Sequence, residues 1–359
     1  MYGLRNRNVN IQNTDNALGA VKNNLASKDA TIGVPLKRKS GMKIAEEKLH
    51  SKKKQHTAED EELEDIENID PAPEVDFDKE TENDLTAVAH YAQDIFKYYR
   101  HRENFFKVKN YMSHQTHMGR DARPTLVDWL VEVQETFELN HETLYLAVKL
   151  IDLYLDRVPR VKRERLQLIA SASVFISSKF DERSPPLIDD FIYISQDSYD
   201  REELLSMERE FLRTVNYDLG APISYRYLRR FARVSKIEMS TLTLARYILE
   251  TSLMFLDFCR VSESLMGAAS LLLALRMKKI GDWTPVLQKY SGYKQQQVEP
   301  LMFALNHMII KRKQDFGKLE TIYKKYSHEI FFEVANTDSL PDIFPSSHPI
   351  GPPRDLLRN

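Results

Sequence analysis

The sequence predicts an all-α protein of two tandem five-helix repeats, with a leading helix and a disordered N-terminal region before them. Apolar residues recur at the helical period almost without a break from about residue 85 to 315, and no segment alternates convincingly at the period of a strand. Glycine and proline are scarce inside those patterns and gather at the joints: Pro159, Ser184-Pro185-Pro186, Gly220-Ala221-Pro222, Gly281 and Gly292. The second half also repeats the first. A shift of 97 residues lays LIASASVFISSKF (168–180) over LMGAASLLLALRM (265–277), with Ala172 on Ala269, Ser173 on Ser270 and Lys179 on Arg276.

Residues 1–84 come first and carry only two aromatics, Tyr2 and Phe77. Basic clusters, including Lys37-Arg38-Lys39 and Lys52-Lys53-Lys54, precede a dense acidic run over 59–84. Such a segment buries too little apolar surface to offset its chain entropy, so disorder is expected throughout it. The Lys37-Arg38-Lys39 cluster suits the acidic groove of a nuclear import receptor, which makes the nucleus the expected location.

A leading helix is expected over 85–101, then five helices over 124–138, 141–157, 162–180, 187–194 and 200–215. Pro124 suits a first helical turn, where its missing N–H costs nothing. Asn140 is placed to cap the second helix of the five, and Asp200 the fifth, with Glu203 at capping-box spacing. The first of the five is unusual. Leu126, Trp129, Leu130, Val133 and Phe137 form one stripe that Val127 and Val131 widen to roughly 200° of arc, about twice an ordinary amphipathic face. Either the helix is buried nearly all round, or part of the stripe serves another molecule. Both copies of the third helix are uncharged for about three turns and rich in small residues, as a central helix requires. The domains therefore read as 1–84, 85–220, 221–335 and a proline-rich extended or disordered tail, 336–359.

Composition excludes several function classes. The 51 basic and 53 acidic residues nearly balance, so no global field argues for nucleic acid or a membrane surface. The single cysteine, Cys259, excludes internal disulfides and reads as a small buried residue. The longest uncharged runs are too short to span a bilayer and no secretory h-region precedes them, which suggests a reduced intracellular protein. His114 and His117 lack partners for a metal site. No phosphate-cradling loop, nucleophile elbow or metalloprotease motif occurs, so neither catalysis nor a cofactor is expected.

The ordered segments RPTLVDWLVEVQETF, NHETLYLAVKLIDLYL, LQLIASASVFISSKFDE and MEREFLRTVNYDL resemble those of a cyclin. KYSGY and YKKYSHEIFFEVA are most similar to the B-three subclass of mitotic B-type cyclins. The resemblance covers about 85–335 and implies two cyclin boxes that bind and activate a cyclin-dependent kinase in mitosis, with meiosis as a further setting. It also implies that the kinase subunit holds ATP and magnesium while the cyclin stabilises the active arrangement.

By that resemblance Lys179 and Glu208 grip the kinase C helix and adjoining loop, and Phe180, Leu212, Tyr217 and Leu219 form the apolar remainder of the contact. The family commonly has Phe where Tyr217 stands. On pattern alone, a helix-end lysine favoured by the dipole and a solvated glutamate is the better reading of the first pair. The repeat favours a function, because the 97-residue shift keeps the cation as Arg276 but sets Glu208 on Leu305. Arg123, Asp128, Asp152 and Leu168 match fold-defining positions, and Arg123 is the natural partner for a buried Asp152. Leu126, Trp129, Glu132, Leu166 and Gln167 match the groove that docks basic-hydrophobic substrate or inhibitor peptides. Ala122 and Thr125 replace two large apolar residues of its wall, which is expected to weaken docking by about 1–2 kcal/mol for each.

A mitotic cyclin also implies degradation through ubiquitin-ligase machinery. DNALGAVKN (15–23) resembles the destruction box at Leu18 and Asn23, but Asp15 stands where its leading arginine belongs. The rival reading is a transcription scaffold that uses the same double repeat on promoter DNA and its binding protein. A cysteine zinc ribbon and a strongly basic second repeat would favour it, and neither is evident.

Overall fold

The computed structural model describes residues 70–357, among which there are thirteen α-helices and no strand. The import cluster Lys37-Arg38-Lys39 and the degenerate destruction box with Leu18 and Asn23 lie outside the described residues. A four-residue helix, α1 (Phe77–Glu80), comes first, and the leading helix α2 (Ala89–Arg102) follows. The first repeat is α3 (Ala122–Thr136), α4 (His141–Arg157), α5 (Leu166–Asp181), α6 (Ile188–Ile194) and α7 (Arg201–Thr214). The second is α8 (Ser224–Val234), α9 (Met239–Ser252), α10 (Glu263–Met277), α11 (Pro285–Ser291) and α12 (Gln295–Phe316). A short α13 (Thr321–Tyr326), which the periodicity does not announce, returns to the first repeat.

The internal repeat is a repeat of structure. The 97-residue shift carries Leu166, which opens α5, onto Glu263, which opens α10, and carries the whole of α6 onto α11. Both central helices are buried almost throughout. Small residues make that possible: Ser173 Oγ donates to the Ala147 carbonyl at 2.7 Å, fixing α5 on α4. At Gly267 a Cβ atom would meet the Ser224 carbonyl oxygen and the Leu228 nitrogen at 3.0 Å, so α8 crosses α10 backbone to backbone.

Several local expectations need correction. Residues 162–165 precede α5 as a loop and a 3-10 turn (Arg163–Arg165), because helical burial begins only at Leu166. Asn140 stands at the N-cap of α4, but its side-chain amide donates to Glu182 at 2.6 Å instead of capping. The Asp200–Glu203 capping box is present as read. The largest correction concerns residues 70–84, expected to be disordered with the rest of 1–84. They lie on the second repeat with Phe77 and Asp78 buried, because its cations neutralise their carboxylates: Arg230 pairs Asp78, Lys236 pairs Glu80 and Lys289 pairs Asp70. The tail beyond 335 is largely irregular but pinned, with Asn306 Nδ2 donating to the Leu340 carbonyl at 3.0 Å and His307 against Asp342 at 2.8 Å.

A buried polar seam joins the two repeats. Arg123 donates to both carboxylate oxygens of Asp152, at 2.7 and 2.8 Å, and to the Leu253 carbonyl at 2.6 Å. Lys325 donates to Gln134 at 2.8 Å and to Glu250 at 2.6 Å, and Tyr326 donates to the other Glu250 oxygen at 2.7 Å. Burial alone would raise the Glu250 carboxyl, but Lys325 and the hydrogen bonds overcome it and hold it below the usual carboxylate range. His141, 3.8 Å from Glu250, is pushed down to about 3 by its own burial and stays neutral. Asp128 accepts from the backbone and hydroxyl of Thr321, at 3.1 and 2.8 Å, and so binds α13 to α3.

Candidate functional site

Two surfaces of the first repeat gather the residues singled out above. The first lies at the C-terminal ends of α5 and α7. Lys179, in the last turn of α5, donates to the Glu208 carboxylate on α7, and its ammonium sits 3.8 Å from the centre of the Phe175 ring. The pair is thus formed and partly desolvated before any partner arrives. Phe180 follows on the same helix and is 52% exposed.

The end of α7 shows how Tyr217 is presented. Asn216 and Tyr217 both take positive φ, at 63° and 58°, a region Asn tolerates better than most residues. The Tyr217 N–H donates to the Leu212 carbonyl at 2.8 Å and the Asn216 N–H to the Arg213 carbonyl at 3.0 Å. This is a Schellman cap, and it turns Tyr217 outward with 66% of the residue exposed. Leu212 and Leu219 pack on the core while remaining half-exposed. Beside Phe180 a hollow of about 200 Å³ opens between the repeats, lined also by Tyr99, Asp181, Ala221 and Ile223. The sequence reading missed these liners. The Gly220-Ala221-Pro222 joint was their only signal, because the hollow exists only once two helical sets meet.

The second surface is the flank of α3. Leu126, Trp129, Leu166 and Gln167 line one mainly apolar groove of about 280 Å³, with Ala122 and Thr125 in its wall. Glu132 is exposed on the same helix, outside that lining. Arg163 lines the groove too, a contribution the expected helix over 162–180 obscured. Most of the surplus apolar arc on α3 is core: Leu126, Val127, Leu130, Val131 and Val133 are all buried, while Trp129 keeps an exposed part. The helix is therefore buried over most of its apolar arc, with Trp129 left partly accessible.

Arg123 and Asp152 are buried against one another, Asp128 bonds α13, and Leu168 packs half-buried on the core. The Cys259 thiol lies close by in the seam, where burial raises its pKa far above the ordinary thiol value. Among the described residues no three His, Cys, Asp or Glu side chains are gathered to hold a metal ion. Nor is any described helix long and apolar enough to cross a membrane.

A family model described as "Cyclin, N-terminal domain" matches residues 94–220, and one described as "Cyclin, C-terminal domain" matches 222–340. The chain belongs to the cyclin family. It is 50% identical over 277 residues to a G2/mitotic-specific cyclin-B3 of Caenorhabditis elegans, covering 76% of this chain and 72% of that one. It is 53% identical over 262 residues to a G2/mitotic-specific cyclin-B3 of Gallus gallus, covering 73% of this chain and 64% of that one, so the match spans less than two thirds of the chicken protein. These names put the similarity in the B-three group that KYSGY and YKKYSHEIFFEVA suggested. The X-ray structure of a viral cyclin from Herpesvirus saimiri superposes with a TM-score of 0.54 at 22% identity, covering 64% of this chain and 99% of that one, which supports the fold.

The two cyclin boxes differ at the corner of Lys179 and Phe180. At the position of Lys179 the second box has Arg276, whose guanidinium is consumed by Asp282 and Glu299 of its own box, at 3.0 and 2.7 Å. At the position of Phe180 stands Met277, only 8% exposed. The second cyclin box closes this corner, whereas the first leaves it open.

Proposed function

We propose that this cyclin is the activating regulatory subunit of a cyclin-dependent kinase, acting in mitosis or meiosis, and that the open corner of the first box is its kinase-binding surface. The observation that carries this reading is the asymmetry between Lys179–Glu208–Phe180 and its closed counterpart in the second box. A folded core has no need of an aromatic side chain left half in water beside a formed ion pair. Lys179 and Glu208 are suited to hold the backbone carbonyls and amides of a helix and loop through charge-assisted bonds, while Phe180 and Tyr217 supply apolar area around them. Affinity for the active arrangement of the kinase is what shifts its equilibrium. An interface of about 2,000–5,000 Å² in total is expected, as for a permanent hetero-complex. The mitotic setting is supported by the names of the relatives. Nuclear import through 37–39 and ligase-mediated turnover through 15–23 belong to the same proposal.

The test is reconstitution. Purified chain mixed with a mitotic cyclin-dependent kinase subunit should co-purify with it and raise its histone phosphorylation by orders of magnitude. Absence of both co-purification and activation with every such kinase tried would remove the reading.

The α3 groove is proposed as a weakened docking site for substrate or inhibitor peptides. Trp129→Ala removes the largest apolar side chain of its wall and should raise the KM of a docking-dependent substrate about 5- to 30-fold, the equivalent of about 1–2 kcal/mol. Turnover of a short peptide that only fills the kinase active site should not change. Equal KM values for wild type and variant on the docking-dependent substrate would exclude the groove.

A further inference from the structure

We propose that residues 70–84 form a detachable strap whose Phe77–Asp78 pair, locked on Arg230, holds the leading helix α2 against the second cyclin box. Arg230 donates from its two terminal nitrogens to the two carboxylate oxygens of Asp78, both at 2.6 Å, and both residues are buried. Its guanidinium also stands 5.7 Å from the Phe77 ring centre, 5.3 Å from that of Phe96 and 5.0 Å from that of Tyr290. Those rings belong to α1, α2 and α11, while Arg230 itself belongs to α8. One cation is therefore the meeting point of four elements.

The strap makes further contacts, among them a Lys289–Asp70 pair at 2.6 Å. Phe77 N–H donates to the Tyr290 hydroxyl at 2.8 Å, and Lys289 donates to the Ala72 and Val75 carbonyls at 2.9 and 2.8 Å. The pairs Lys236–Glu80 and Arg233–Asp84 lie in solvent, where salt screens them. No strap helix exceeds the four residues of α1. Its hold rests on two points, the Phe77–Asp78 dipeptide on Arg230 and the Lys289 clamp on Asp70, Ala72 and Val75, and the first of them carries the link to α2 through Phe96.

The leading helix has another anchor on this box in Arg100, which donates to the Ser291 carbonyl at 2.5 Å and lies over the Tyr293 ring, but little of its length is buried. Of its fourteen residues only Ala92 is buried. Phe96 and Tyr99 lean on Tyr227, with ring centres 5.9 and 6.4 Å away, and Phe96 shares the Arg230 cage with the strap. The connection between strap and helix is also strained. Val88, a β-branched residue, takes φ 50° immediately before α2, a conformation that persists only when both flanks are tied down. Lifting the strap removes one flank and one wall of the cage together.

Hydrogen exchange on the full chain without any kinase tests this independently of the function proposed above. Asp78→Arg and Arg230→Asp should each speed exchange about 100-fold in 72–84 and about 10-fold in 89–102, leaving 263–277 unchanged. The charge-swapped double variant should return both segments to near wild-type rates. Asp78→Asn, which leaves the second box untouched, should open the strap in the same pattern should Arg230→Asp prove unable to fold. Exchange in 89–102 that stays at the wild-type rate while 72–84 opens would overturn the proposal. So would exchange in 263–277 that rises in step with the strap, since the pair would then be part of the global fold.

Discussion

The double substitution Lys179→Ala/Glu208→Ala is expected to weaken kinase binding about 100-fold or more, with loss of activation to match. Truncating hydrogen-bonded charges at the centre of an interface costs about 2–5 kcal/mol, since the partner's polar groups are left buried and unpaired. The same change should hardly affect the free cyclin. The Lys179 side chain is 39% exposed and that of Glu208 14%, and a pair in such a partly exposed place contributes about 1 kcal/mol to folding. Its melting temperature should therefore stay within about 3 °C of wild type. Arg276→Ala, the counterpart in the second box, should break the contacts to Asp282 and Glu299 and leave kinase activation intact. Full activation by the double variant would disprove the site assignment. Equal losses from Lys179→Ala/Glu208→Ala and Arg276→Ala would show that the asymmetry between boxes has no functional content.

The second large effect is on stability. Arg123→Ala should destabilise the protein by about 3–5 kcal/mol, because it leaves the Asp152 carboxylate buried with only Tyr111 to bond it. Arg123 is 2% exposed and Asp152 1%, so neither can recover water without opening the first box. The Leu253 carbonyl also loses its donor, which extends the damage to the loop after α9. For a fold of this size the melting temperature should fall by about 10 °C. Replacing both members of the pair with apolar residues of similar volume should cost less than Arg123→Ala alone, since no lone charge remains. A fall below about 2 °C for Arg123→Ala would show that the site relaxes or admits water.

Much of the fold was legible because it is local. Helix periods, the Asp200–Glu203 capping box and the 97-residue repeat all depend on short-range chemistry or simple self-comparison. What was missed depends on partners far along the chain. Asp78 is 152 positions from Arg230, and composition around residue 78 describes a chain that would be disordered if nothing neutralised it. Asn140 has the right residue type for a cap, yet Glu182, 42 positions away, offers its side chain a charged acceptor. At the candidate site, periodicity places Lys179 and Phe180 at a helix end, but their role came from family resemblance. Exposure adds what sequence could not: Phe180 is open and Met277 is closed, although both follow a cation at the same point of the repeat. Arg163 was hidden by an overlong helix, and the hollow beside Phe180 by the need for two repeats to form it.

The seam of Arg123, Gln134, Glu250 and Lys325 has a kinetic consequence. Two boxes fastened by buried, mutually bonded charges cannot flex at their joint without exposing those charges to one another unpaired. On the proposed function, a partner would meet a surface that the seam already holds in place and would spend little ordering entropy on it. Among related complexes such an advantage is expressed mainly as long residence and much less as faster arrival. On that function, such a subunit would leave its partner slowly, and ending its action promptly would fall to turnover of the molecule.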